Sequence, residues 1–391
     1  MIDQKKKILF VINQMNMGGI QKSLVNLLCC IYKQYDISLL CINPEGKLLD
    51  RIPDEIRRIT PGIAVRSSEM SLKDSFHLSI TAVIDRLFFS AWSKICNKRI
   101  PAYIATKWLQ KNLGYYDIAI SYSQPINHKQ FCCLCNEVVL NSCSSPLKIT
   151  FVHCDFTNYG GNNPCNRDLY KRFNKIAAVS NSVGEKFKHV IPETMGKVGT
   201  VYNLNDFVEI RSLALDDTVQ YDEDISVVTV ARISNEKGLL RCIDIINQIF
   251  HEGYEIKWHI VGDGPLMHTL RQAIVDINAT QFILLHGQQS NPYRFIKNAS
   301  FLLLPSFHEA APMVYNEAAC LHVPVLTTNT TSAIELVERR GIGWVCGNTS
   351  NEIYESMLDI IQNKRYSEIR FQDEDYTNDL ALKQFCKLIG E

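Results

Sequence analysis

The sequence predicts an α/β protein built from two doubly wound parallel sheets, and three observations carry that prediction. Short apolar runs recur with helical patterns between them, as the strands of buried parallel sheets do. Each run ends at a polar or glycine-bearing turn. The runs fall into two sets separated by Asn203–Asp224, which holds Asp216-Asp217 and Asp222-Glu223-Asp224, has little apolar periodicity and reads as a connection between domains. A length of 391 residues agrees, being more chain than one hydrophobic core usually organises.

The first set places strands near Ile8–Ile12, Ile37–Ile42, Ile118–Ser121, Ile149–His153 and Ile176–Ser180. The second places them near Val227–Ala231, Trp258–Gly262, Phe282–Gly287, Phe301–Pro305 and Pro324–Thr328. A boundary near residue 204 makes the first domain 1–204 and the second 205–370. Crossovers between parallel strands are expected to be right-handed. Sheets of this kind bind ligands outside the carboxyl ends of their strands, so the residues just after each run are the candidates. They are Gly18-Gly19 after the first strand, His153 after the fourth, then Arg232 with Lys237, Gly262-Asp263-Gly264, and Ser306 with Glu309. If the two sheets face each other along those edges, these groups line one interdomain cleft.

Composition narrows the function. Forty-one basic and forty-one acidic residues cancel, so no global field gathers nucleic acid, and any anion must be held locally. The apolar run after Lys5-Lys6-Lys7 is too short for a signal peptide, and no stretch approaches the roughly 18 apolar residues of a membrane helix. A cytoplasmic protein is expected, with most of its fourteen cysteines as buried thiols. Cys132 and Cys135 form a C-x-x-C that lacks a second pair at zinc spacing, and no metal site is expected.

The strongest chemical signal is Glu309-Ala310-Ala311-Pro312-Met313-Val314-Tyr315-Asn316-Glu317. Pro312 suits the first turn of a helix, which puts Glu309 in the loop before it and Glu317 inside it. Carboxylates accept paired hydrogen bonds from vicinal hydroxyls, while amides of Ala311, Met313 and Val314 at a helix start favour phosphate. Lys237-Gly238 is read as opening a helix striped by Leu239, Ile243, Ile246 and Phe250, where the lysine opposes the dipole unless an anion binds. Gly18-Gly19 precede a helix over Ile20–Tyr32 and admit a ligand to backbone amides. Gly262-x-Gly264 lacks the third glycine of a dinucleotide fingerprint and reads as a turn. His153 can orient a hydroxyl or shift a proton near neutral pH. Asp222-Glu223-Asp224 and Asp373-Glu374-Asp375 match D-x-D but read as solvated loop charge.

Residues 80–111 carry Arg86, Lys94, Lys98, Arg99, Lys107 and Lys111 against Asp85 alone, interleaved with Phe88, Phe89, Trp92 and Trp108. Two readings stand: a helical hairpin packing its aromatics inward, or a peripheral contact with an anionic membrane.

Together these motifs resemble the glycosyltransferase family 4 group of retaining enzymes. The resemblance rests on Val230 through Gly238, Ile260 through Pro265, Leu304-Pro305-Ser306 and the Glu309/Glu317 pair, with weaker matches at Met17-Gly18-Gly19, Phe151-Val152-His153, Val179 through Ser182 and Val201-Tyr202-Asn203. It implies the GT-B fold, two Rossmann-like domains facing across a cleft, with a C-terminal helix within 371–391 packing back on the first. Arg232 and Lys237 would hold the diphosphate of a UDP-sugar or GDP-sugar, with Gly18 and Gly19 approaching it and Gly262 nearby. Glu317 would hold the ribose; Glu309, the amides of Ala311 to Val314, and His153 would contact the transferred sugar. The implied activity is a metal-independent, retaining, hexosyltransferase-type transfer that needs no cofactor. Its acceptor would be a glycan or lipid-linked saccharide in surface polysaccharide biosynthesis, with a peripheral seat on the inner face of the plasma membrane. Alternatives are a nucleotide-sugar epimerase or hydrolase on the same frame and a non-catalytic nucleotide-binding subunit. The chain has Glu309-Ala310 where the family shows Glu-Gly, which bears on sugar selection, and Ile20-Gln21 after its paired glycines where the family shows x-Glu.

Overall fold

The computed structural model of the chain describes residues 5–125, 127–157, 160–372 and 376–391. The chain divides into two compact units, Met1–Leu204 with Asn378–Glu391, and Asn205–Thr377.

Among the described residues, unit 1 is a seven-stranded parallel sheet of β1 (Lys7–Gln14), β2 (Asp36–Asn43), β3 (Arg57–Ile59), β4 (Ile118–Ser121), β5 (Leu147–Val152), β6 (Lys175–Ala178) and β7 (Val198–Thr200), in the order β3-β2-β1-β4-β5-β6-β7. The central strand, β1, is apolar from Ile8 to Ile12 and buried throughout that run, because helices cover both faces of such a sheet. Unit 2 is a six-stranded parallel sheet of β8 (Ile225–Val230), β9 (Ile256–Val261), β10 (Ile283–Gly287), β11 (Phe301–Leu304), β12 (Val325–Thr328) and β13 (Gly343–Cys346), in the order β10-β9-β8-β11-β12-β13. Strand order therefore reverses between β1 and β4 in one unit and between β8 and β11 in the other, the switch points where doubly wound sheets open a crevice.

Several elements differ from expectation. Strands β3, β7 and β13 are short edge strands; β3 and β7 have no continuous apolar run and β13 has only Trp344-Val345-Cys346. The segment read as a connection contains a helix, Phe207–Leu215, capped by the Asp206 carboxylate accepting from the Glu209 amide at 2.9 Å. Lys237 does not open an α-helix: a 3-10 turn Asn235–Lys237, a left-handed Gly238 and a second 3-10 turn Leu239–Cys242 precede the helix Ile243–His251. The dipole argument for Lys237 therefore falls.

Glu223 is not solvated. It lies buried with its carboxylate 2.7 Å from His259 Nε2 and 3.3 Å from Lys257, while the exposed Asp222 meets Lys257 at 2.7 Å. His259 Nδ1 in turn lies 3.0 Å from His286 Nε2. Burial, then the charges of His259 and Arg294, pushes the His286 imidazole down to about 4. The second acidic triplet, Asp373-Glu374-Asp375, lies outside the described residues. The fourteen cysteines are free thiols, and six of them are buried rather than most.

Residues 71–111 form helices Leu72–Leu78, Ile80–Ile95 and Arg99–Ile104 and a π-turn Ala105–Leu109. Their aromatics divide. Phe89 is buried and stacks on Phe131 at 4.9 Å, whereas Phe88 and Trp108 are exposed. One expected surface cation is internal: Lys98 is buried in an ion pair with Glu137 at 3.0 Å.

The last helix, Asp379–Ile389, belongs to the core of unit 1, where Ala381, Phe385, Leu388 and Ile389 join Phe10, Leu24 and Leu28. Phe385 is fully buried and stacks on Phe10 at 6.4 Å. Phe385→Ala should lower the stability of unit 1 by about 3–5 kcal/mol in urea unfolding, as expected for truncating a buried phenylalanine.

Candidate functional site

In unit 2 the loops leaving β8 and β11 run side by side at the switch point, and they carry most of the expected residues. They are sewn together by backbone. The Phe307 amide donates to the Glu236 carbonyl at 2.8 Å, and Gly238, at φ +66°, lies so close to Pro305 that a β-carbon would stand 2.2 Å from its carbonyl oxygen. Gly262, at φ +147°, leaves a β-carbon only 1.9 Å from the Ala231 oxygen, and at Gly264 the distance to the Ile233 oxygen is 2.3 Å. These glycines let the 231–233 backbone lie directly on the 262–264 turn, so the Gly262-x-Gly264 motif seats the Arg232 loop. The sequence reading of a plain turn missed that use.

The join brings Lys237 and Glu309 together. The Lys237 ammonium donates to Glu309 Oε1, and the Ser306 hydroxyl donates to the same oxygen at 2.7 Å. The pair is partly screened, with the lysine side chain 21% exposed and the glutamate 11%. Arg232 is exposed, and its guanidinium makes no hydrogen bond with the described residues. Glu309 stands in the loop, Pro312 caps the helix Met313–Cys320, and Glu317 is buried within that helix. The amides of Ala311, Met313 and Val314 fall at its start, where a helix offers donors to an anion. An anion arriving here meets two cations and can release Glu309 from Lys237; a carboxylate so released can accept hydroxyls.

Arg241 was not singled out by sequence, where it hides in an apparent helical stripe. Its guanidinium donates to the carbonyls of Asn348 and Pro305, both at 2.6 Å, and to Asn348 Oδ1 at 2.7 Å, while lying 4.0 Å from the Phe307 ring centre. It holds the 305–307 backbone that presents Ser306 and Glu309.

In unit 1, Gly18 is the extended cap of the helix Gly19–Ile31, which follows β1. His153 follows β5, its ring tilted against Tyr122 at 4.9 Å and stacked on Phe151 at 5.6 Å. Its Nε2 is buried without a hydrogen-bond partner among the described residues, and its amide donates to Gln124 Oε1 at 2.5 Å. Burial pushes the imidazole down to about 4, against a weaker opposing bond to the Tyr122 backbone. The ring is therefore neutral at pH 7 and does not exchange protons near neutrality, correcting that expectation; it can still orient a hydroxyl.

Comparison with known proteins bears on both units. Residues 214–373 match the family described as glycosyl transferases, group 1. A capsular polysaccharide biosynthesis glycosyltransferase, CapM, of Staphylococcus aureus is 28% identical over 177 residues, 42% of this chain and 47% of that one. The amylovoran biosynthesis glycosyltransferase AmsD of Erwinia amylovora is 23% identical over 204 residues, 50% of this chain and 57% of that one. The chain thus spans about a third to a half of the length of the first curated relatives it matches. Among solved structures, Anabaena HepE in complex with UDP has a TM-score of 0.62 at 14% identity, covering 97% of this chain and 95% of that one. A complex of S. aureus TarM with fondaparinux, α-GlcNAc-glycerol and UDP has a TM-score of 0.64 at 11% identity, covering 99% and 100%. These likenesses show the GT-B fold, with two Rossmann-like parallel-sheet domains.

Two outcomes follow from this geometry. Gly262→Ala should cost at least about 1–3 kcal/mol in thermal or urea unfolding, because it forces a side chain into a φ region it avoids and against the Ala231 carbonyl. For His153, the unfolded ring takes a proton below about 6.5, whereas the folded ring does so only below about 4. The unfolded state binds more protons between those values, so stability falls as pH is lowered through that window, by up to about 3 kcal/mol for this group. Comparing urea unfolding of the wild type and His153→Gln at pH 7 and pH 4.5 should show a shallower acid decline in the variant.

Proposed function

We propose that this chain, whose residues 214–373 belong to the glycosyl transferases group 1, transfers a sugar from a nucleotide-diphosphate sugar to a glycan or lipid-linked acceptor, retaining the anomeric configuration, in surface polysaccharide biosynthesis. The observation that carries the reading is the Lys237–Glu309–Ser306 cluster at the switch point of unit 2, beside the unpaired Arg232. Breaking the anomeric bond leaves negative charge on a diphosphate, and two fixed cations with helix-start amides stabilise it as the bond stretches. On this reading the diphosphate takes over Lys237 and Arg232, Glu309 turns to the hydroxyls of the sugar, and Glu317 holds the ribose. No metal and no cofactor is assigned a role. Support comes from the polysaccharide-biosynthesis roles of relatives such as CapM and AmsD and from the UDP bound in HepE and TarM. Gly18, Gly19, Gly262 and a neutral His153 keep the ligand-contact roles that the resemblance gives them, as proposals.

The same reading gives unit 1 a peripheral seat on the inner face of a membrane. No helix among the described residues is long and apolar enough to cross a membrane. Helices Leu72–Leu78 and Ile80–Ile95 nonetheless expose Phe76, Ile80, Ile84, Phe88 and Ile95, with Lys73, Lys94 and Arg99 alongside. Apolar side chains bordered by cations suit an anionic bilayer surface.

A thermal-shift screen of UDP, GDP and their sugars should give a hit that names the donor, since ligand at 100 times its dissociation constant adds about 2.7 kcal/mol. Lys237→Ala and Glu309→Ala should each lower kcat/KM for transfer about 100- to 1,000-fold; unchanged turnover would favour a non-catalytic subunit, and donor breakdown at full rate without acceptor would favour a hydrolase or epimerase. Co-sedimentation with phosphatidylglycerol but not phosphatidylcholine vesicles, lost in a Phe76→Ser, Phe88→Ser double variant, checks the membrane seat.

A further inference from the structure

A cavity of about 380 Å³ opens at the amino ends of β4 and β5, lined by Lys107, Asn112, Asn141, Ser144 and Lys148 among others. It lies at the opposite end of β5 from His153, about 20 Å away along a six-residue strand. None of the donor-site residues lines it.

Its charges have one sign. Lys148 gives two of its three ammonium protons to the carbonyls of Leu140 and Cys143, at 3.0 and 3.1 Å, and so closes the carbonyl end of the helix Cys135–Asn141. That spends one cation on one helix end, whose dipole amounts to roughly half a negative charge. Two more cations remain. Arg172, which reaches the rim rather than the lining, donates to Asn141 Oδ1 at 3.0 Å, which carries no charge, and the Lys107 ammonium makes no hydrogen bond or ion pair among the described residues. Burial holds the Lys148 ammonium below its ordinary range; the Cys143 thiol opposes this, and the charges of Arg172 and Lys107 add to it. No carboxylate is among the groups acting on Lys148. Three cations drawn together without an acid repel one another unless an anion sits among them.

We propose that this cavity is a phosphate site, taking the phosphate of a monoester or diester. Lys107 and Arg172 are its charged partners, and the Ser144 hydroxyl and the Asn112 amide supply neutral donors. A guanidinium with a flexible ammonium matches phosphate oxygens, which accept both a planar fork and a point charge. Two sources share that chemistry: a soluble phosphate ester and the headgroup of an anionic phospholipid. Trp108 and Leu109, both exposed, follow Lys107 directly and give a lipid somewhere to lay its chains.

The test is titration of the full chain with inorganic phosphate by calorimetry, at ionic strength held constant with sodium chloride. Because phosphate can also enter the donor site, the titration is repeated in an R232A/K237A background. Saturable binding that persists there and weakens tenfold or more in K107Q/R172Q is the expected result. Both substituted residues are exposed, and an unchanged melting curve in buffer without phosphate checks that the fold is intact. Binding that disappears with R232A/K237A, or that K107Q/R172Q leaves unchanged, overturns the proposal whatever the donor site does. With binding established, vesicles assign the source. Sedimentation with phosphatidylglycerol that K107Q/R172Q abolishes and glycerol phosphate competes marks a headgroup; sedimentation indifferent to both marks a soluble ester.

Discussion

Three carbonyl oxygens, those of Ala231, Ile233 and Pro305, occupy positions that the β-carbons of residues 262, 264 and 238 would otherwise claim. The Lys237–Glu309 cluster of unit 2 depends on that close approach. It lets two loops from adjacent strands, β8 and β11, lie in hydrogen-bonding contact, so that Lys237 and Glu309, 72 positions apart, form one ion pair. Arg241 secures the arrangement from behind by filling two carbonyls and one side-chain oxygen with a single guanidinium. Rigid support of this kind is what lets a charge cluster act before its ligand arrives, since little reorganisation remains.

The ion pair also shapes how the site responds to an anion. Lys237 is already neutralised by Glu309, and Glu309 is further held by Ser306. On the proposed reading a diphosphate would compete for the ammonium, and the competition would free a carboxylate beside it. A pair of this type is costly to break from one side, because the remaining charge is left partly desolvated. On the same reading, a donor that exchanged one partner for another would avoid that cost.

Much of the fold was legible in sequence because buried parallel strands need continuous apolar runs, and the runs at Ile8–Ile12, Val227–Ala231 and Phe301–Pro305 are of that kind. The edge strands β3, β7 and β13 were not, since one or both faces meet water and their apolar runs are absent or, in β13, only three residues long. At the candidate site, Glu309 in a loop and Glu317 in a helix followed from Pro312. The irregular 235–242 segment did not, because Leu239 and Ile243 fit an α-helical stripe equally well when Gly238 is left-handed. Glu223 was misread for a related reason: flanking aspartates suggest solvent, whereas its partners His259 and Lys257 come from a strand some 35 positions later. His153 sat where its strand predicted, but its neutrality comes from burial of the ring, which pattern reading does not reveal at a strand end.

The helix Asp379–Ile389 has a consequence for biosynthesis. Phe385 and Ile389 complete a core begun by Phe10 and Leu24, so unit 1 lacks a wall until the 379–389 segment has also left the ribosome. Roughly 185 residues separate Leu204 from Ile389, an interval of about 10–40 s at 5–20 residues per second. Unit 2, continuous in sequence from Asn205 to Thr377, can close first. The order of folding can thereby reverse the order of translation, leaving nascent unit 1 with an open apolar seam in the interval.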